Sequence, residues 1–288
     1  MTSKNPEYDF KWCPGCGDFG VRRALEGAVA RLTIESELPM ENNVVIAGIG
    51  CSGNMVHLLD GDQPYGFHGI HGRTLPVAMG VKMARPDLNV VVVAGDGDFL
   101  GIGSEHIGPQ AARNLNITAI IMDNGVYGLT KGQSSPTTDL GTITSSTPYG
   151  KAEEKMHPFQ MYLSVGVSYV ASTVSTQVRQ MSALMSDAME HPGFAIVHIQ
   201  SPCTEYNNTF AALKGNAKEG IPGLAYDIPD DHDETDIEAS FDLVNGGGIP
   251  MGVIFRDASR PTFDQRIDEV SQKASSKTVS ELLDSHRI

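Results

Sequence analysis

The chain has no apolar run approaching the ~18 residues that cross a bilayer. Its opening residues, "MTSKNPEYDFKW", lack a basic segment leading into an apolar stretch. A membrane span and a secretory signal are therefore not expected, and a cytosolic protein is. Clustered Lys and Arg are missing too. With 35 acidic against 21 basic residues, a net charge of -14 and a pI of ≈ 5.0, the chain lacks the positive surface that nucleic-acid phosphates require. Internal repeats and low-complexity tracts are absent. Cysteine is scarce, at four: Cys13, Cys16, Cys51 and Cys203. Without an export signal, so few thiols point to metal or redox chemistry before a disulfide framework.

What is present suffices for a folded core: 288 residues, 40% of them hydrophobic, accommodate one large α/β domain or two small ones. The acid is uneven. From Gly223 onward 14 Asp and Glu face 6 Lys and Arg, and "DIPDDHDETDIE" (227 to 238) reads as a solvated surface segment.

The spacing of Val21, Leu25, Ala28, Val29 and Leu32 predicts a helix starting just after "WCPGCGDFG" (12 to 20). "NVVIAGIG" (43 to 50), "NVVVVAGDGD" (89 to 98), "ITAIIMDNG" (117 to 125) and "FAIVHIQ" (194 to 200) are apolar runs ending in turn residues, with helical patterns between them. Such alternation describes an α/β fold, a mostly parallel sheet covered by helices on both faces. Ligands of these sheets bind outside the carboxyl ends of the strands. There the unusual residues fall: Cys51, "GDGD", "DNGVYG" and "SPC" with Cys203. From Gly220 the pattern breaks up, and 247 to 267 looks too irregular for a regular element.

"GDGD" at 95 to 98 follows a strand and precedes a helix, so its backbone can approach a phosphate closely. A strand-end Asp in a glycine turn is also an ordinary cap or turn former. The "DNGVYG" that follows one helix and one strand later strengthens the phosphate reading. Magnesium on a diphosphate needs few protein ligands, and Asp96, Asn124 and the carbonyl of Val126 would meet that need. The pair of motifs resembles the thiamine diphosphate signature. "GFHGIHGR" (66 to 73) sets His68, His71 and Arg73 before a helix start, with His71 favoured as a diphosphate donor over a loop and capping role. One close pair of cysteines and two distant singles do not have zinc-ribbon spacing, and a thioredoxin-type dithiol leaves two cysteines without a role. Four thiolates converging beside a cofactor suit a 4Fe-4S cluster. The other reading leaves Cys51 and Cys203 as small buried residues.

Through "WCPGCGDFG", "GIGCSGN", "HGRTLPVA", "GDGDFLGIG", "DNGVYGLTKGQSSPTT", "PCTEYNN" and the tail "GVIFRDASRPTFDQ", the chain resembles the β subunits of 2-oxoacid:ferredoxin oxidoreductases, most of all the two-subunit 2-oxoglutarate type. The resemblance runs from residue 10 to about 210. It implies a thiamine diphosphate and 4Fe-4S domain over 1–220 and an irregular acidic extension over 221–288 that wraps the domain or a partner. It makes Cys13, Cys16, Cys51 and Cys203 the cluster ligands. Ile49, Gly50, Cys51, Ser52, Gly69, Ile70, His71, Gly72, Gly97, Asp98, Gly128 and Leu129 would contact thiamine diphosphate, and Asp96, Asn124 and Val126 its magnesium. The implied reaction is decarboxylation of a 2-oxoacid, transfer of its acyl group to coenzyme A and delivery of single electrons to ferredoxin, or the reverse. An α subunit would bind the pyrimidine end of the cofactor, in a pair of heterodimers. Some broad-specificity relatives have Lys after "GCSG", where this chain has Asn54. Pyruvate or another 2-oxoacid is thus a rival substrate, and Asn54, Leu129 and Lys131 are the candidate selectivity residues. Two rival functions are a cluster-free thiamine-dependent decarboxylase subunit and an electron-transfer protein with a structural "GDGD".

Overall fold

Strands that are apolar at every position become a sheet buried on both faces. The computed structural model describes residues 12–60, 64–273 and 278–287, so residues 1–11, where the absence of a targeting segment is read, lie outside the described residues. In chain order the elements are α1 (Asp18–Glu35), β1 (Asn43–Ala47), α2 (Met55–Leu58), β2 (Tyr65–His68), α3 (Thr74–Ala84), β3 (Asn89–Gly95), α4 (Ile107–Arg113), β4 (Ile117–Asp123), β5 (Val126–Tyr127), β6 (Gln133–Ser134), α5 (Pro158–Ser164), β7 (Tyr169–Val174), α6 (Val178–Glu190), β8 (Phe194–Gln200), α7 (Phe210–Lys214), β9 (Ala225–Asp227), α8 (Ile237–Asn245), β10 (Ile249–Arg256), α9 (Phe263–Lys273) and α10 (Val279–Ser285). The main sheet has the order β2-β1-β3-β4-β8-β7-β10-β9. Its first six strands are parallel, whereas β10 runs antiparallel to β7 and carries β9 parallel to itself.

Alternation along β3 divides the core into two layers. Val91 and Val93 pack with Leu25 of α1 and Met181 of α6. Val90, Val92 and Ala94 pack with Leu75 of α3, Ile107 of α4 and Tyr162 of α5. Each fully buried aliphatic side chain contributes roughly 1.5–3 kcal/mol, so the central strands anchor the loops at their ends. Helix α1 presses its first turn onto the sheet because Gly20 has no side chain: a Cβ there would lie 2.1 Å from the Ser175 carbonyl oxygen.

Residues 247–267, expected to be irregular, instead supply β10 and the start of α9. The strand escapes a period-2 reading because Pro250 and Gly252 interrupt it, Gly252 with φ +142, and because its register shifts between Val253 and Phe255. Past β10, Arg260 donates to the carbonyls of Ala111, at 2.8 Å, and Gly166. Asn114 donates to the carbonyls of Arg260 and Pro261 at 3.2 and 3.3 Å. The acidic 227–238 segment is mostly exposed, as expected, yet pinned. Asp236 caps α8 through the Glu238 N–H at 2.8 Å, and Glu234 pairs with Arg256 at 2.9 Å.

Candidate active site

The order of the sheet sets the carboxyl ends of β1, β3, β4 and β8 side by side, and the loops leaving the first three frame a cleft of ≈ 550 Å³. Ile49, Gly50, Cys51, Ser52, His71, Gly97, Asp98, Gly128 and Leu129 line it, as do Asp96, Asn124 and Val126. Gly69, Ile70 and Gly72 flank the cleft without lining it, and Asn54 stands outside it in the turn that leads into α2. His68 is turned away, its Nδ1 2.9 Å from His57 Nε2. Arg73 donates to the carbonyls of Gly72 and Ile102, both at 2.9 Å. A larger cavity, ≈ 1120 Å³, opens beyond Asp123 and His198 but has none of the glycine turns that follow β1 and β3.

Asp98 ties three loops together. Its Oδ1 accepts the N–H of Ile49 at 3.0 Å and of Gly72 at 2.8 Å, and lies 2.5 Å from His71 Nδ1. Its Oδ2 is buried without a partner among the described residues. The N–H groups of Ile49 and Gly72 are therefore spent on shaping the cleft. Gly72 is required here on two counts, a φ of +69 and a Cβ position 2.2 Å from Ile102 Cγ2.

Beneath the cleft two carboxylates share one hydroxyl. Thr137 Oγ1 lies 2.8 Å from Asp96 Oδ2 and 2.8 Å from Asp123 Oδ1. Burial, then the charge of Asp123, pushes the Asp96 carboxyl up. Burial acts on Asp123 in the same direction but is outweighed by hydrogen bonding to His198, 3.0 Å away, so Asp123 is held below the usual range. The site fits a divalent cation in its donor chemistry: a buried carboxylate in need of positive charge, with the Asn124 side chain and Val126 carbonyl on the next strand end.

The four thiols are free and come from three segments: the loop before α1, the loop after β1 and the loop after β8. Gly17 lets the N-terminal loop dock on the loop after β8, since a Cβ there would lie 2.6 Å from Ser201 Oγ. The Gly17 N–H donates to the Pro202 carbonyl at 3.2 Å, and Thr204 Oγ1 to that of Pro14 at 3.0 Å. Trp12 Nε1 donates to the Cys51 carbonyl at 2.7 Å. Cys51 and Cys203 share a neighbour: a Cβ on Gly128 would lie 3.5 and 3.8 Å from their sulfurs. Burial, then the charge of Asp18, pushes the Cys51 thiol up to about 12 and raises Cys16 further. Redox-active C-x-x-C pairs need the opposite shift. Among the described residues no three His, Cys, Asp or Glu close into a metal cage; the thiols fit a cluster in kind and in neighbourhood.

Sequence reasoning missed Thr137, Asp123, His198 and Tyr127. Tyr127 lies over the "GDG" turn and donates to the Gly97 carbonyl at 3.1 Å. Its signal was its place in "DNGVYG". Lys131, a selectivity candidate, falls outside the cleft and adopts φ +83.

Residues 48–199 match the C-terminal TPP-binding domain of thiamine pyrophosphate enzymes. Residues 223–272 match the C-terminal region of the pyruvate ferredoxin oxidoreductase β subunit. A 2-oxoacid:ferredoxin oxidoreductase β subunit of Aeropyrum pernix is 35% identical, over 90% of this chain and 84% of its own. The 2-oxoglutarate synthase subunit KorB of Archaeoglobus fulgidus is 38% identical, over 67% of this chain and 69% of its own. The solved structure of the 2-oxoglutarate:ferredoxin oxidoreductase from Magnetococcus marinus, with 2-oxoglutarate, coenzyme A and succinyl-CoA bound, superposes with a TM-score of 0.83 at 36% identity, covering 96% of this chain and 92% of that one. Cleft, thiamine diphosphate-binding fold and relatives agree, and the chain belongs to the β subunits of the 2-oxoacid:ferredoxin oxidoreductases.

Proposed function

We propose that this chain carries the diphosphate-binding half of an enzyme that converts 2-oxoglutarate and coenzyme A to succinyl-CoA and carbon dioxide, with single electrons leaving through a 4Fe-4S cluster to ferredoxin. Reductive carboxylation is the same chemistry reversed. One observation carries the reading: Cys51 lines the cofactor cleft and shares Gly128 as a neighbour with Cys203, so an electron acceptor held there adjoins the reacting centre.

When bound, thiamine diphosphate supplies the electron sink for decarboxylation, magnesium neutralises the diphosphate, and the cluster accepts electrons singly. Asp96, Asn124 and the Val126 carbonyl would hold the magnesium. His71 and the backbone from Gly50 to Ser52 and at Gly97 would meet the diphosphate, with Asp98 fixing His71 and the flanking loops. Cys13, Cys16, Cys51 and Cys203 would hold the cluster. Leu129, 50% exposed, forms the outer wall of the cleft. An α subunit would complete the pyrimidine side, and exposed Tyr65, Phe67, Ile70 and Leu129 suit such a contact.

A second reading, pyruvate or another 2-oxoacid, is favoured by Asn54. A neutral amide outside the cleft cannot answer a distal carboxylate, so that charge would have to come from the partner chain. The test is iron, sulfide and zinc content with an electron paramagnetic resonance spectrum, on the two-chain complex purified without oxygen. We expect about four irons and four sulfides per β chain and a reduced-cluster signal that grows with 2-oxoglutarate and coenzyme A. A signal growing only with pyruvate would transfer the reading to that substrate. Zinc, or no metal, would overturn the cluster.

A further inference from the structure

Asp96 would ordinarily be free to offer both carboxylate oxygens to a cation, and whether it does is decided by a residue 41 positions downstream. Thr137 Oγ1 stands 2.8 Å from Asp96 Oδ2 and 2.8 Å from Asp123 Oδ1, with Ser135 Oγ 3.3 Å away. A threonine hydroxyl has one proton, so it donates to one carboxylate only. Asp123 does not depend on it. Its Oδ1 accepts the Gly125 N–H at 3.0 Å, and its Oδ2 meets His198 Nε2 at 3.0 Å and Gln200 Nε2 at 3.4 Å. Asp96 has weaker support: its Oδ1 has one long contact, 3.4 Å, from the Asn124 N–H, and the Ser135 hydroxyl is the other side-chain donor to its carboxyl. The proton belongs on Asp96 Oδ2. One oxygen is thereby occupied and the other left open. His198 is held in turn by the Tyr162 hydroxyl at 3.1 Å from Nδ1, so Asp123 stays satisfied without Thr137.

We propose that Thr137 is a positioning residue that makes Asp96 a one-oxygen ligand and so favours magnesium over calcium at the diphosphate. This rests on the magnesium and thiamine diphosphate reading above. The chemistry is general. Magnesium demands a compact octahedron and takes carboxylates through one oxygen, whereas calcium tolerates more ligands and readily takes both. With the Thr137 hydroxyl removed, Asp96 keeps only the Ser135 hydroxyl and the long Asn124 contact, so it can rotate toward chelation through both oxygens, which relieves the restriction on calcium.

Thiamine diphosphate binding to the two-chain complex is measured by equilibrium dialysis, titrating magnesium and then calcium. For the wild type we expect magnesium to support binding at lower concentration than calcium. In Thr137→Val binding supported by magnesium should weaken by roughly 10- to 100-fold, the loss that follows removal of an outer-shell hydrogen bond from a metal ligand, and the ratio of the two half-saturating concentrations should move toward calcium. Thr137→Ser, which keeps the hydroxyl, should restore the wild-type ratio. Thr137→Ala serves as a second variant that cannot clash, should the valine protein fail to assemble. A ratio unchanged in Val and Ala, with affinity for both ions falling together, would overturn the proposal. If the wild-type complex binds no thiamine diphosphate with either ion, the cofactor reading itself has failed, not merely this refinement of it.

Discussion

At the scale of single residues, two buried acids around the site, Asp96 and Asp18, have carboxyl pKa values raised by burial. Asp18, the first residue of α1, is an example: its Oδ1 accepts from Ser201 Oγ at 2.6 Å while its Oδ2 has no partner among the described residues. Burial raises its pKa to about 6, against a smaller lowering by Ser201. The folded pKa lies above the ordinary 3.8, so the unfolded chain releases this proton first as pH rises. The stability it contributes is complete below 3.8 and is lost as pH climbs through about 6. Asp18→Asn in the metal-free chain should therefore stabilise at neutral pH by up to about 3 kcal/mol, with the gain vanishing in acid. Thermal melts that keep the same pH dependence in both proteins would remove Asp18 as its source. Asp96, Asn124, Cys51 and Cys203 were legible in the sequence because each follows an apolar run that reads as a buried strand, and Cys13 and Cys16 because of their C-x-x-C spacing. Thr137 and Asp18 were not. Their roles come from a loop folding back and from a helix start closing on another loop, and neither leaves a periodic trace.

At the scale of elements, the parallel strands β1, β3, β4 and β8 could be read because both faces are buried and each is built on a nearly continuous apolar run. Strand β7 hides behind Ser172 and Thr173, whose hydroxyls are satisfied by the Pro250 carbonyl and by Gln180 Oε1, both at 2.6 Å. Strand β10 hides behind its bulge. The motif "FRDASRP", which ends β10 and follows it, belongs to the opposite end of the sheet from the cleft, where Arg260 clamps the residues before β7 and the end of α4. Arg260→Ala should cost roughly 1–3 kcal/mol, the cost of leaving such carbonyls unpaired. In urea this is a lower midpoint at an unchanged slope, with cofactor affinity intact. A loss of thiamine diphosphate binding in this variant would mean that the clamp reaches the site after all.

At the scale of the whole molecule, the sheet ends on β2, a strand exposed at all four positions and apolar at Tyr65 and Phe67, immediately beside the cleft. Among the described residues no strand pairs with this outer edge, and an edge of this kind is a surface that proteins normally cover. Hydrogen exchange at residues 65–70 should be fast in the isolated chain and slow in the two-chain complex, and the isolated chain should not retain thiamine diphosphate. Equal exchange in both states would exclude this edge from the partner contact. The order of the strands, and so the meeting of residues 12–17, 51, 128 and 203, is the level least visible in sequence, because pairing between distant strands leaves no local mark. The chain's single tryptophan, Trp12, stands at that meeting point, 6% exposed, bonded to the Cys51 carbonyl and set edge-on to Phe19. Its indole emission is consequently a built-in optical gauge of this one corner: any loading, stripping or oxidative loosening of the cysteine loops changes the surroundings of the only indole, and no second indole blurs the signal.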